Sequence, residues 1–176
     1  MQEALIVIDV QNGVVQHAWR RNEVIQTIDS LVKRARSHNV PVIWVQHHDD
    51  YLIQGSKDWE IVEQLHPLKN EPVIQKAWGD SFAQTDLQSV LQSLKIQTLI
   101  ITGAQSDACI RMTKYGALQR GYNVKLVGDA HATESGSYGG TQFSADWVIA
   151  YENAVSMNSN LPNASCELVD SSELWQ

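Results

Sequence analysis

The chain of 176 residues lacks the features that mark several whole classes of protein. It has only two cysteines, Cys109 and Cys166, with no Cys-x-x-Cys motif. This excludes a disulfide-stapled scaffold. With no leader of basic start and apolar core either, we expect a reduced, cytoplasmic protein. Positive charge is scarce: 13 Lys and Arg stand against 20 Asp and Glu, for a formal charge of -7 and a pI near 5.2. Nucleic acid and anionic membranes both require a basic face, so neither is an expected partner. No apolar run approaches the roughly 18 residues of a membrane span, and no internal repeat or low-complexity tract occurs. A small molecule is the partner that remains.

What is present is an alternation of apolar runs with helical patterns, over a length that suits one domain spanning residues 1–176. Ala4-Leu-Ile-Val-Ile-Asp9 reads as a parallel strand buried on both faces and ending in a carboxylate. A helix is expected from about Asn22, with Val24, Ile25, Ile28, Leu31, Val32 and Ala35 on one stripe. Val40 to Gln46 is a second strand, and Pro72 to Lys76 a third that ends on a lysine. The polar connection between them should hold a short helix around 58–64 and serve as a substrate-side lid. A helix over about 85–94 leads to a fourth strand, Thr98 to Thr102, closed by Gly103. Tyr122 to Asp129 is a fifth strand, His131 to Thr141 a Gly/Ser-rich loop, Gln142 to Met157 a helix, and Glu167 to Val169 a sixth strand. Such alternation predicts an α/β, Rossmann-like, three-layer sandwich with a six-stranded, mainly parallel sheet.

In open sheets of this kind ligands bind outside the carboxyl ends of the strands. Asp9, Lys76 and Cys109 all fall at such ends. Ser106 or Asp107 caps the helix that should run to Gly121, placing Cys109 in its first turn, where N–H groups and the helix dipole favour a thiolate. We therefore assign Cys109 as nucleophile and Asp9 as general base. Lys76 is the charge that keeps the base ionised and lowers the thiol pKa. Trp19, Trp78, Phe82 and Tyr138, with Gln11 and His131, are the candidates to line a substrate pocket at the same edge. Cys166, before an edge strand far from these motifs, is read as inert.

Three blocks resemble the signatures of the isochorismatase-like cysteine hydrolases. They are Val7-Ile-Asp9-Val-Gln-Asn12, Val73-Ile-Gln-Lys76 followed by Ser81-Phe82, and Gly103-Ala-Gln-Ser-Asp-Ala-Cys109-Ile-Arg-Met-Thr113. Asp129-Ala130 adds a fourth likeness. The resemblance, covering about residues 4–157, implies an Asp-Lys-Cys triad at Asp9, Lys76 and Cys109. It also implies a non-proline cis peptide at Ala104–Gln105 and an oxyanion hole from the N–H groups of Gln105 and Cys109. It further implies attack on an amide-like carbonyl, as in members that act on amide, ureido or carbamoyl substrates, and a homo-oligomer, dimer or tetramer. The alternatives are an isochorismatase-type vinyl-ether hydrolase and a catalytically silent small-molecule-binding member. Nicotinamidase-like members hold a metal through an Asp-x-His pair after the second strand, where this chain has His47-His-Asp-Asp50. That spacing is missing, so neither a metal nor another cofactor is expected. Val10-Gln-Asn-Gly13, with one glycine, likewise lacks the dinucleotide fingerprint.

Overall fold

The computed structural model of the chain describes residues 2–176. Strand β1 (Glu3–Ile8) is apolar at every position from Ala4 because both of its faces are covered. Leu5 and Val7 enter one core, while Ala4, Ile6 and Ile8 enter the other. Helix α1 (Arg21–Ser37) buries Ile25, Ile28, Leu31, Val32 and Ala35 at helical spacing, with Arg34 and Arg36 in its last turn to complement the dipole.

Then come β2 (Val42–His47), β3 (Val73–Lys76), α2 (Leu87–Ser93) and β4 (Thr98–Ala104). A turn over Ser106–Ile110, α3 (Arg111–Gln119) and β5 (Asn123–Ala132) follow. The chain ends through β6 (Gly136–Tyr138), β7 (Thr141–Phe143), α4 (Ala145–Ser156) and β8 (Cys166–Val169).

Six of the strands form one sheet in the order β3-β2-β1-β4-β5-β8, and every neighbouring pair is parallel. Parallel neighbours need crossovers, and right-handed crossovers put α1 on one face and α2 and α3 on the other. The two cores follow this division. α1 packs with Val7, Trp44 and Ile100, whereas Leu87 and Leu91 of α2 and Ala117 and Leu118 of α3 pack with Ile6, Ile43 and Ile101. The chain leaves β1 toward one layer and its neighbour β4 toward the other. A crevice therefore opens at the carboxyl ends of these two strands.

Several boundaries differ from the sequence expectations, each because backbone groups find partners elsewhere. Residues 58–64 form no helix. Instead, Asn12 N–H donates to the Glu60 carbonyl, Val62 N–H donates to the Val10 carbonyl, and Gln11 bridges Ile61. The stretch expected as an open loop is partly β structure. After a bulge β5 continues so that His131 pairs with Gly103 and Ala132 with Ala104, and β6 and β7 form an antiparallel hairpin. That hairpin delays α4 to Ala145. Gly103 does not end β4 either. Its φ of 123° and its position against Ile8 admit no side chain, since a Cβ there would run into the Ile8 carbonyl. Helix α3, by contrast, ends as expected: Gln119 is its last residue, Arg120 its C-cap, and Gly121, with a φ of 83°, takes the C′ position. Among the described residues, no helix is long and apolar enough to cross a membrane.

Candidate active site

Three strand ends meet at the crevice. Asp9 is the first residue after β1, with a φ of 50° that turns the chain away from the sheet. Lys76 closes β3, and in the parallel register it lies beside His47, the last residue of β2. Cys109 sits in a wide, π-helical turn over Ser106–Ile110, between β4 and α3. Lys76 Nζ lies 2.7 Å from Asp9 Oδ2, donates to Cys109 Sγ at 3.2 Å and to the Trp78 carbonyl at 3.1 Å, and stands 3.4 Å from His47 Nδ1. Both members of the Asp9–Lys76 pair are fully buried, and the thiol is half-buried. A cleft of about 220 Å³ opens above them, lined by Asp9, Gly13, Val14, His47, Gln105, Ala108 and Cys109.

The electrostatics follow from this enclosure. Burial raises the Asp9 pKa above the usual carboxylate value against the opposing pull of Lys76 and of a hydrogen bond with Cys109. For Lys76, burial alone would lower the ammonium pKa, but Asp9 and Cys109 outweigh it, so the amine stays charged. The Cys109 thiol is pushed up to about 12, first by burial and then by the Asp9 carboxylate, with Lys76 only partly offsetting both. This corrects the expectation of a pre-formed thiolate. At rest the sulfur holds its proton and faces a carboxylate able to accept it.

The turn that carries Cys109 is fixed by side chains expected in other roles. Neither Ser106 nor Asp107 caps the helix. The Ser106 hydroxyl is 2.7 Å from His131 Nδ1, and Asp107 accepts from the Thr133 hydroxyl at 2.6 Å. Asn153 donates through Nδ2 to the Gly128 carbonyl and so presents Oδ1 to His131 Nε2 at 2.8 Å. His131 therefore carries its proton on Nε2 and accepts at Nδ1 from Ser106. The peptide bond Ala104–Gln105 is cis. Gln105 faces the cleft, and its side-chain carboxamide has no hydrogen-bond partner among the described residues.

The six pocket candidates lie apart from the cleft. Gln11 is fully buried as a staple: Nε2 donates to the His47 and Trp59 carbonyls at 2.9 and 2.7 Å, and Oε1 accepts from His47 N–H at 2.8 Å. Phe82 belongs to the core, where it stacks on Tyr122 beneath the Arg120 guanidinium. Trp78 is exposed and touches the site only through its backbone carbonyl, its indole reaching instead to Gln84. Tyr138 is exposed on the β6–β7 hairpin. Trp19 and His131 line a separate recess of about 240 Å³ with Arg20 and Asp129. Of the residues that line the cleft, Asp9, Gln105 and Cys109 were expected at the site, whereas Gly13, Val14, Ala108 and above all His47 were not among the pocket candidates. Its signal was its place at the end of β2, beside the strand that delivers Lys76. Cys166 begins the edge strand β8 and is buried, with burial raising its thiol to about 11.

Among the described residues, no group of three or more His, Cys, Asp or Glu side chains converges as a metal site. His47 Nε2 instead meets Asp49 Oδ2 at 3.1 Å, and Asp49 also accepts from the backbone N–H groups of Tyr51 and Leu52.

Comparison with known proteins adds an independent line. The sequence signature of the Isochorismatase domain matches residues 3–145. The chain is 32% identical over 142 residues to the uncharacterized isochorismatase family protein YddQ of Bacillus subtilis (strain 168), covering 76% of this chain and 79% of that one. It is also 32% identical over 140 residues to streptothricin hydrolase of Streptomyces noursei, covering 74% of this chain and half of that longer protein. The crystal structure of an isochorismatase from Pseudomonas putida KT2440 superposes with a TM-score of 0.89 at 27% identity, covering 98% of this chain and 90% of that one.

Proposed function

Since the chain belongs to the isochorismatase family of hydrolases, we propose that it is a cysteine-dependent amidohydrolase that cleaves a small amide, ureido or carbamoyl substrate through a thioester. The observation that carries this reading is the buried contact of Asp9, Lys76 and Cys109 beneath an open cleft. A thiol alone is inert at this pKa, and a carboxylate beside it supplies the proton acceptor it lacks.

As Sγ attacks the carbonyl carbon, Asp9 takes the thiol proton and the oxygen becomes an oxyanion facing the N–H groups of Gln105 and Cys109. Collapse breaks the C–N bond, and Asp9 returns the proton to the leaving amine. Asp9 then deprotonates a water that attacks the thioester, after which the sulfur leaves as thiolate and recovers its proton. The raised pKa of Asp9 suits both directions of transfer. Lys76 stays protonated and compensates the negative charge as it moves from carboxylate to sulfur and back. The protein works as a homo-oligomer on this reading, and it needs no metal or other cofactor.

The test is an ammonia- and amine-release screen over primary amides, ureido acids and carbamoyl amines, followed by acid quench and intact-mass analysis. An acyl adduct on Cys109 is expected. Full turnover by Cys109→Ala, or an adduct on Cys166, would end the proposal.

A further inference from the structure

The charges around the cleft divide unevenly between floor and wall. Lys76 stands on the floor, fully buried and committed to Asp9, to the thiol and to the Trp78 carbonyl. Of the other residues lining the cleft, His47 alone can carry positive charge, and its ring nitrogens are already engaged, Nε2 with Asp49 Oδ2 at 3.1 Å and Nδ1 facing Lys76 Nζ at 3.4 Å. Because Asp9 and Lys76 balance each other, and Lys76 and the thiolate balance after proton transfer, the floor never offers a net positive charge.

The wall is acidic. Residues 49–60 carry Asp49, Asp50, Asp58 and Glu60 against a single cation, Lys57. Asp58 packs directly on Gly13, a lining residue, and its backbone carbonyl accepts from Gly13 N–H at 2.8 Å. Asp49 is bonded to His47, another lining residue, and the backbone N–H groups of Leu52 and Tyr51 hold its carboxyl below the usual range, so it stays ionised. Gln105 is among the lining residues, and its carboxamide, with no hydrogen-bond partner among the described residues, offers a donor and an acceptor together, which matches a neutral amide or urea better than an anion.

We propose that this cleft selects a small amide of zero or positive charge and rejects one that carries a carboxylate beside the scissile carbonyl, an inference that rests on the amidohydrolase reading of the same site. A carboxylate entering the cleft would lose water and meet no free cation, with anionic side chains along its path. The same argument disfavours a dicarboxylate vinyl ether as substrate.

The charge preference is measured without any substrate. In Cys166→Ala protein at mildly alkaline pH, Cys109 is treated with three methanethiosulfonates that differ only in the transferred group: cationic aminoethyl, neutral methyl and anionic sulfonatoethyl. In each case the Cys109 sulfur attacks the reagent's sulfenyl sulfur, the reagent's S–S bond breaks, methanesulfinate leaves, and a mixed disulfide remains. The cation-to-anion rate ratio at Cys109 should exceed that of 2-mercaptoethanol by about tenfold or more, the scale of electrostatic steering at a charged cleft. It should fall toward that of mercaptoethanol in about 1 M salt, where screening acts within about 3 Å, and fall also in Asp58→Asn. An anionic reagent that reacts as fast as the cation, or a ratio indifferent to salt, overturns the proposal. A matched set of amides then separates the two readings. If the charge ratio holds but no amide is cleaved, only the amidohydrolase reading fails. If a carboxylate-bearing amide is cleaved through Cys109 as fast as its neutral counterpart, only the charge selection fails.

Discussion

Among the described residues, two lysine–carboxylate pairs lie wholly inside the protein, Lys76–Asp9 at 2.7 Å and Lys114–Glu152 at 2.6 Å, with all four side chains fully buried. Around Lys114 each group is used up. The ammonium donates to Glu152 and to the Ser156 hydroxyl and lies over the Tyr115 ring, while Arg111 takes the second Glu152 oxygen at 2.7 Å. The cluster ties α3 to α4, and Lys114, Glu152 and Ser156 are all fully buried. Around Lys76 the partners come from separate strand ends, one of them is a thiol, and the carboxylate faces a cleft. Burial and pairing alone therefore do not make a reactive site. On the proposed reading, reactivity comes from proton-accepting capacity that the fold leaves beside a reachable sulfur.

The comparison breaks most sharply at the sulfur. Cys109→Ala should lower kcat by about 10⁴-fold or more, the usual result of deleting a nucleophile that acts as part of a unit, while leaving the thermal midpoint nearly unchanged. Turnover and calorimetry on the same preparation check both halves. Lys114→Met should do the reverse. It breaks a buried pair and should cost about 3–5 kcal/mol of stability by urea titration, with the folded fraction retaining its turnover.

The two neighbours of Cys109 should move its titration in opposite directions. Asp9 raises the thiol pKa and Lys76 lowers it, so Asp9→Asn brings the value down from about 12 and Lys76→Met drives it higher. Iodoacetamide alkylation followed against pH reads both shifts. Asp9→Asn should alkylate faster than wild type yet turn over more slowly, and a variant fast in both would remove Asp9 from the role of base.

Smaller effects come from the support. His131→Gln disturbs the bond that holds Ser106 and should cost about 1–3 kcal/mol. Burial lowers the His131 pKa below 6.5, so its contribution is full above that pH and is lost as the pH falls through the folded value. The stability gap between wild type and variant should therefore narrow from pH 7.5 to pH 5. At the far end stands the exposed pair Lys33–Asp29 on α1, just as short at 2.6 Å. Lys33→Ala should shift stability by about 0.5 kcal/mol or less, because water already solvates both charges.

Much of this arrangement was legible in the chain. The run Ala4–Ile8 could only be a strand buried on both faces, and a carboxylate directly after it had to lie at the sheet edge. The same logic placed Lys76 and Cys109. Which aromatic residue faces the ligand was not legible. Trp78 and Phe82 follow Lys76 closely, yet Phe82 turns inward because Tyr122 and Arg120, from a distant unit, receive it. The hairpin left a trace in Gly139-Gly140, both with positive φ. Its strands are three residues each and depend on each other, so no local period revealed them. The thiol was misread because the helix end and Lys76 are visible in sequence, whereas the degree of burial that decides its pKa is a property of the packed whole.

The staple at Gln11 has a consequence for how such a protein diversifies. One side chain grips the carbonyls of His47 and Trp59, so the excursion between them leaves and rejoins the scaffold at a single fixed point. An exchange of residues 49–58 that leaves Gln11 and its two carbonyls in place is thus expected to change the surface behind the cleft more than the strand ends that carry Asp9 and Lys76. The segment is a modular cassette, and grafting one from a relative is a direct route to retargeting the scaffold.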